Sequence, residues 1–214
     1  MSSDLPPFVV AISRQLGCGG SYVGRLVAQR LRYHYVDREV LEQAARQLGL
    51  SEGEVEDREE RVSRGWEQVL KVFGMGGPES PYSPPPIRVV FDEELFRVEA
   101  AILRKMAGEQ SCVIVGKGGA HVLRDHPRLL RLFLHAPIDF RVRRLMQVYG
   151  IADPAEARAR IEESDENRER FHRSLMGTHW TDATGYDVCI DTGTVDFIAA
   201  REMIVTLVES LRRT

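Results

Sequence analysis

No apolar run in this chain reaches the roughly 18 consecutive residues that a membrane-spanning helix needs, and nothing in it resembles a secretory signal. A soluble cytoplasmic protein is therefore the expectation. Cysteine is scarce: Cys18, Cys112 and Cys189 form neither a zinc-type set nor a closely spaced redox pair. That excludes a disulfide scaffold and predicts reduced core thiols. Charge of one sign is also missing. The 29 Lys plus Arg residues against 32 Asp plus Glu leave a net charge of -3, too little to draw nucleic acid or an anionic membrane by bulk field. The strand-like runs lack the interleaved aromatics of a nucleic-acid platform, and no internal repeat suggests a solenoid. What is present is ordinary globular material, 43% hydrophobic over 214 residues, enough for one domain with a sizeable core.

The most informative stretch is Val9 to Leu31, VVAISRQLGCGGSYVGRLVAQRL. Val9, Val10, Ala11 and Ile12 suit a buried strand, and Gly17, Gly19 and Gly20 allow a sharp reversal before a helix that begins near Ser21. Such a junction gathers unpaired N–H groups and the positive end of a helix dipole at one point, where a phosphate would neutralise both. A tight strand-to-helix connection without a ligand is the competing reading.

Further along, Tyr35 and Val36 lead to Asp37, which is suited either to substrate binding or to capping a helix that Gly49 ends. Residues 51–88 read as a helical and flexible insertion. Its 74–86 segment, GMGGPESPYSPPP, is too rich in proline and glycine for a regular element, and is either a linker or a substrate-binding flap. A helix is predicted from Asp92 to Ala107, with Gly108 ending it. Strands are predicted at Ser111–Val115, Leu129–Leu134 and Tyr186–Ile190. The first of these is followed by the glycine-bearing GKGGAHVL. A long, densely charged helix starts at Asp153–Pro154, and Val195 to Leu211 supplies a closing helix with Ile198, Ile204, Val205, Val208 and Leu211 facing the core. Asp191 reads as capping or orienting that helix, and Thr192 as a cap. Four strand candidates separated by helices favour an α/β parallel sheet over a helix bundle.

Six pieces in order carry a resemblance: AISRQLGCGG with SYVGRLVAQRL, YVDREVL, IVGKGGAHVL, APIDFRVRRL, SDENRERFHR and YDVCIDTG. The chain resembles the cytidylate kinase-like family, within the P-loop nucleoside monophosphate kinases, over roughly residues 8 to 210. The resemblance implies a three-layer αβα parallel-sheet fold spanning 1–214, with a lid-associated region at 150–182. It implies ATP as donor and Mg2+ as cofactor, with a nucleoside monophosphate, CMP foremost, as acceptor. No nucleic-acid or membrane partner follows from it, and 51–88 is a candidate homodimer contact.

In the resembled kinases the first loop cradles the donor phosphates, which here falls to Gly17, Cys18, Gly19, Gly20, Ser21 and Tyr22. Ser21 is the candidate magnesium ligand, with helix capping as its other reading. The family's loop lysine is absent, because Gly20 stands at its position. Arg14 is the nearest replacement cation, unless it points into the protein. By the same resemblance Asp37, Arg38 and Lys117 would bind the acceptor. Arg141, Arg144, Asp165 and Arg168 would join Arg14 as catalytic candidates, with Arg160, Arg170 and Arg173 as alternatives. Phosphoryl transfer needs positioning and charge neutralisation rather than a nucleophilic side chain, so this set contains the required chemistry. A kinase for another small acceptor, or a nucleotide-sensing protein with weak transfer, fits the same residues.

Overall fold

The structure is a computed structural model and describes residues 5–37, 93–116 and 118–213. Arg38, Lys117 and the 51–88 insertion lie outside the described residues. The sheet contains β1 (Val9–Arg14), β2 (His34–Val36), β3 (Cys112–Val115), β4 (Leu129–His135) and β5 (Val188–Asp191), in the order β2-β3-β1-β4-β5. Every pairing is parallel. Numbered over the described residues, the helices are α1 (Gly20–Leu31), α2 (Glu93–Glu109), α3 (Gly119–Val122), α4 (Ile138–Tyr149), α5 (Pro154–Met176) and α6 (Phe197–Leu211).

Parallel strands need crossovers, and the crossover helices cover both faces, so the strands are apolar on both sides. Along β1 the side chains alternate accordingly. Val10 and Ile12 pack with Val23 and Val27 of α1 and with Ile204 and Val208 of α6. Val9 joins Ile114 and the Val98, Ile102, Leu103 and Met106 face of α2 in the second core. A third cluster of Leu16, Val142, Leu145, Ile151, Ala157 and Ile161 ties α4 and α5 to the loop after β1. The chain is thus a three-layer α/β protein. Its strand order turns around β1, which opens a crevice beyond the carboxyl end of that strand. Among the described residues no helix is long and apolar enough to cross a membrane.

Several local expectations change. His34–Val36 forms a fifth strand: three residues carry little periodic signal, and pairing with β3 makes the strand. Gly108 does not end α2, which runs to Glu109. A Cβ there would meet nothing, so the glycine sits on an open surface at a modest helix cost of about 1 kcal/mol. Ile198 and Leu211 face solvent, 50% and 45% exposed, while Ile204, Val205 and Val208 carry the buried face of α6. Cys18 and Cys112 are buried thiols, but Cys189 is exposed on β5, an edge strand of the described sheet, and so is no core residue.

Candidate functional site

The loop after β1 is held by the ends of its neighbouring strands. Gln15 N–H donates to the Leu134 carbonyl at 3.0 Å, and the Gln15 side-chain oxygen accepts from Ala136 N–H at 3.2 Å. Cys18 Sγ donates to the Leu134 carbonyl at 3.3 Å, and burial raises the pKa of this thiol, leaving it a neutral packing group. Thr192 adds a further tie. Its hydroxyl lies 2.6 Å from the Cys18 carbonyl and 3.0 Å from that of His135, linking the loop to the end of β5. Neither Thr192 nor Asp191 caps α6. Asp191 instead accepts from Gly193 N–H and Thr194 Oγ1, and the cap of α6 is Asp196, which accepts from Ile198 N–H and Ala199 N–H.

Gly19 takes the cap position of α1 in the left-handed conformation, φ 82°, which a residue with a side chain adopts only at a cost. Ser21 is therefore not the helix cap. It lies buried in the first turn, with its carbonyl accepting from Tyr35 Oη at 3.3 Å. The amide end of a 12-residue helix consequently faces the crevice beyond β1.

Arg14 ends β1 and lies directly across this loop. A Cβ built on Gly20 would stand 2.5 Å from Arg14 Cβ, and one built on Gly116 would stand 2.1 Å from Arg14 Nη1. The arginine stem therefore runs over Gly20, and its guanidinium rests on the turn after β3. The glycine at the lysine position is the space that Arg14 uses. Any side chain at position 20 would collide with Arg14 as it stands, so the two cation placements exclude each other in this conformation.

Two more arginines converge here. Arg141 of α4, 7% exposed, packs its backbone over Gly17, with the Arg141 carbonyl 2.8 Å from where a Gly17 Cβ would be. Its Nη1 donates to Asp165 Oδ2 at 2.7 Å and lies 3.5 Å from the Leu16 carbonyl. Arg168, one turn along α5 from Asp165, is anchored through Nη1 to the Ser164 carbonyl and hydroxyl, and stands 4.0 Å from Asp165 Oδ1. Burial lowers the pKa of Arg168, and Arg14 and Arg141 add to that against the opposing pull of Asp165. It remains a cation at neutral pH. Among the described residues, the ion pairs of this cluster use Asp165 alone, and none uses Arg14. Two buried polar atoms here also lack a hydrogen-bond partner among the described residues, Arg141 Nε and Asp165 Oδ1. A surplus of cations with an orphaned donor, set beside a helix amide end, has the chemistry that a polyanion would complement.

The other expected residues divide. Arg144, three residues from Arg141, does not share its direction. It stacks over Phe197 at 4.5 Å and over Tyr22 at 6.0 Å, on the flank of the loop next to Gly19. Asp37 follows the end of β2 and is half-buried. Arg160, Arg170 and Arg173 bond Glu156, Asn167 and Glu169 on the exposed side of α5, away from the cluster. For magnesium, the described residues contain no group of three or more His, Cys, Asp or Glu. Such a donor set would suit only an ion held chiefly by ligand phosphates and water, for which the Ser21 hydroxyl would be the protein ligand and Asp165 Oδ1 an acceptor for a bound water.

A parallel sheet in this order, with a glycine loop leading from its first strand into a helix amide end, defines a P-loop kinase-like protein. The sequence profile of the cytidylate kinase-like family matches residues 9–194, and the chain belongs to that family. A cytidylate kinase of Methanopyrus kandleri is 31% identical over 97 residues, 42% of this chain and 50% of the relative, so the match spans about half of that relative's length. Among solved structures, an uncharacterized protein from Eubacterium ventriosum superposes with a TM-score of 0.70 at 23% identity, covering 95% of this chain and 99% of the other. A shikimate kinase from Bacteroides thetaiotaomicron superposes at 0.52 and 13% identity, covering 94% and 98%, which bears on the fold alone.

Proposed function

We propose that this protein transfers the terminal phosphoryl group of ATP to a nucleoside monophosphate, with CMP the leading acceptor. The observation that carries the reading is the convergence of Arg14, Arg141 and Arg168 beside the amide end of α1, opposed by Asp165 and with Arg141 Nε unpartnered. Phosphoryl transfer is mainly positioning and charge neutralisation, which is what such a cluster supplies.

In this reading the loop amides and the α1 dipole hold the donor phosphates. Arg14 lies over Gly20 and takes the part of the missing lysine, neutralising charge between the leaving and transferred groups. Arg141 and Arg168 face the same phosphates from the other side, with Asp165 orienting both guanidiniums. Arg144, braced on Tyr22 and Phe197, belongs to the donor side. Magnesium, when bound beside Ser21, would screen the phosphate charges. Asp37, Arg38 and Lys117 are the proposed acceptor residues, residues 150–182 the lid-associated region, and 51–88 an insertion that is also the candidate dimer contact.

The test is transfer from γ-labelled ATP to CMP, UMP, dCMP and AMP at matched concentrations, with the phosphorylated product detected directly. Labelled diphosphate with CMP foremost is the expected result, and Arg14→Met should lower kcat about 100-fold. No labelled product across the panel, with saturable ATP binding retained, would sink the nucleoside monophosphate kinase reading and leave a kinase for another small acceptor to be tested with a broader acceptor panel. No transfer there either would favour a nucleotide sensor, the alternative raised by Gly20 standing where the lysine belongs.

A further inference from the structure

Arg168 lies in the field of two like charges and, among the described residues, is joined to its own helix through Ser164 and a loose approach to Asp165. An aromatic face also lies against it. Its guanidinium carbon is 5.8 Å from the ring centroid of Trp180, within the range of a cation–π contact. Trp180 comes from the turn after α5, and its 4% exposure marks it as a wall rather than a surface residue.

That wall is fixed from three directions. The ring meets Phe133 of β4 edge-to-face at 5.4 Å and 88°. The Trp180 carbonyl accepts from Tyr186 Oη at 2.6 Å, and the Tyr186 ring is itself stacked on Phe133 at 5.1 Å. The Trp180 N–H donates to Glu169 Oε2 at 3.3 Å, while Glu169 Oε1 takes Arg173 Nε at 2.7 Å and His179 Nδ1 at 2.6 Å. Glu169 is the residue after Arg168. The carboxylate that clasps the turn therefore grows from the helix position next to the arginine that the turn supports, and the clasp sets the ring against the guanidinium.

We propose that Trp180, clasped by Glu169, is a positioning residue that holds the Arg168 guanidinium in the phosphate-binding cluster. The inference rests on the phosphate reading of that cluster. The electron-rich ring face offsets the repulsion from Arg14 and Arg141, and Phe133 and Tyr186 keep the ring from turning away. Without the ring, Arg168 would move toward solvent, where its like-charged neighbours weigh less. A residue that merely packed would affect stability without needing Arg168, whereas a positioning residue matters only while Arg168 is present.

The experiment is a double-mutant cycle on the full chain, using Trp180→Leu and Arg168→Met singly and together. Two quantities are read: kcat for CMP phosphorylation, and the dissociation constant for inorganic tripolyphosphate by calorimetry. Trp180→Leu is expected to lower kcat about tenfold and to weaken tripolyphosphate about fivefold. In the Arg168→Met background it should change either quantity less than twofold. Trp180→Phe, which keeps a π face, should recover most of the loss. If Trp180→Leu does not fold, Glu169→Gln releases the clasp and should give the same non-additivity with Arg168→Met. Multiplicative effects, or no rescue by Phe, overturn the proposal. Should no acceptor be phosphorylated by the wild type, the kinase reading fails separately and the tripolyphosphate cycle still decides the role of Trp180. If tripolyphosphate does not bind at all, both fall.

Discussion

The loop after β1 and the arginine cluster beside it lie in one crevice but are held by opposite means. The loop is stitched by short-range polar contacts to strand ends that the fold itself provides: Gln15 to Leu134 and Ala136, Cys18 to Leu134, and Thr192 to Cys18 and His135. Its shape belongs to the folded state whether or not a ligand is present. The cluster gathers Arg14, Arg141 and Arg168 around Asp165 and, among the described residues, leaves Arg141 Nε and Asp165 Oδ1 without hydrogen-bond partners. In the proposed function its interactions are completed by ligand phosphates. The difference teaches that this site divides its labour, with a finished backbone cradle on one side and an electrostatically unfinished clamp on the other.

The sharpest way to break that contrast is Asp165→Asn. The change keeps the volume but leaves the Arg141 guanidinium buried with two other cations, and the expected loss is about 3 kcal/mol of stability. Tripolyphosphate should restore a large part of it, because the anion supplies the missing counter-charge. Thermal unfolding with and without tripolyphosphate reads both effects, and a loss unaffected by the anion would contradict an unfinished clamp. On the cradle side, Thr192→Val removes the hydroxyl donor from two buried carbonyls and should cost about 1–2 kcal/mol. That loss should be independent of tripolyphosphate, and its recovery by the anion would erase the distinction.

The smallest effect concerns His172, which lies on α5 against Phe171 and Trp180. Burial lowers its pKa to about 4, with Glu169 opposing and His121 and Arg168 adding to the shift. The unfolded chain, with a histidine near 6.5, binds more protons in the interval between, so stability rises with pH there. Its contribution is complete above pH 6.5 and is lost as the pH falls toward 4. His172→Phe should therefore lower by about 3 °C the drop in Tm between pH 7 and pH 5. An unchanged drop would remove this histidine from the acid sensitivity of the region.

Much of the fold was legible because its signals are local. The apolar run of β1, the glycines after it, the Asp153–Pro154 start of α5 and the buried SCVIV stretch each reflect a backbone preference or a burial pattern within a few residues. Where pairing or packing decides, local signals fell short. Three residues became β2 only against β3, Gly108 stayed inside a helix because nothing crowds it, and Ile198 turned outward although its composition reads as core. At the site, helical spacing put Arg141 and Arg144 near each other without revealing that one enters the cluster and the other lies on Tyr22 and Phe197. Thr192 and Trp180 gave little sign of their contacts, since one bonds a carbonyl 174 residues away and the other packs on a strand remote in sequence.

The sequence by itself determined that a glycine-rich turn joins the first strand to a helix and that its usual lysine is replaced by Gly20. Backbone freedom and side-chain identity are properties of the residues themselves. Only the tertiary structure decided which side chain occupies the space beside Gly20. The β1–β3 pairing brings Gly116 beside the end of β1, the absence of a side chain at position 20 opens a path, and Arg14 lies along it with its charge in the crevice. The direction of a long side chain is set by what surrounds it, and here those surroundings come from segments about a hundred residues apart.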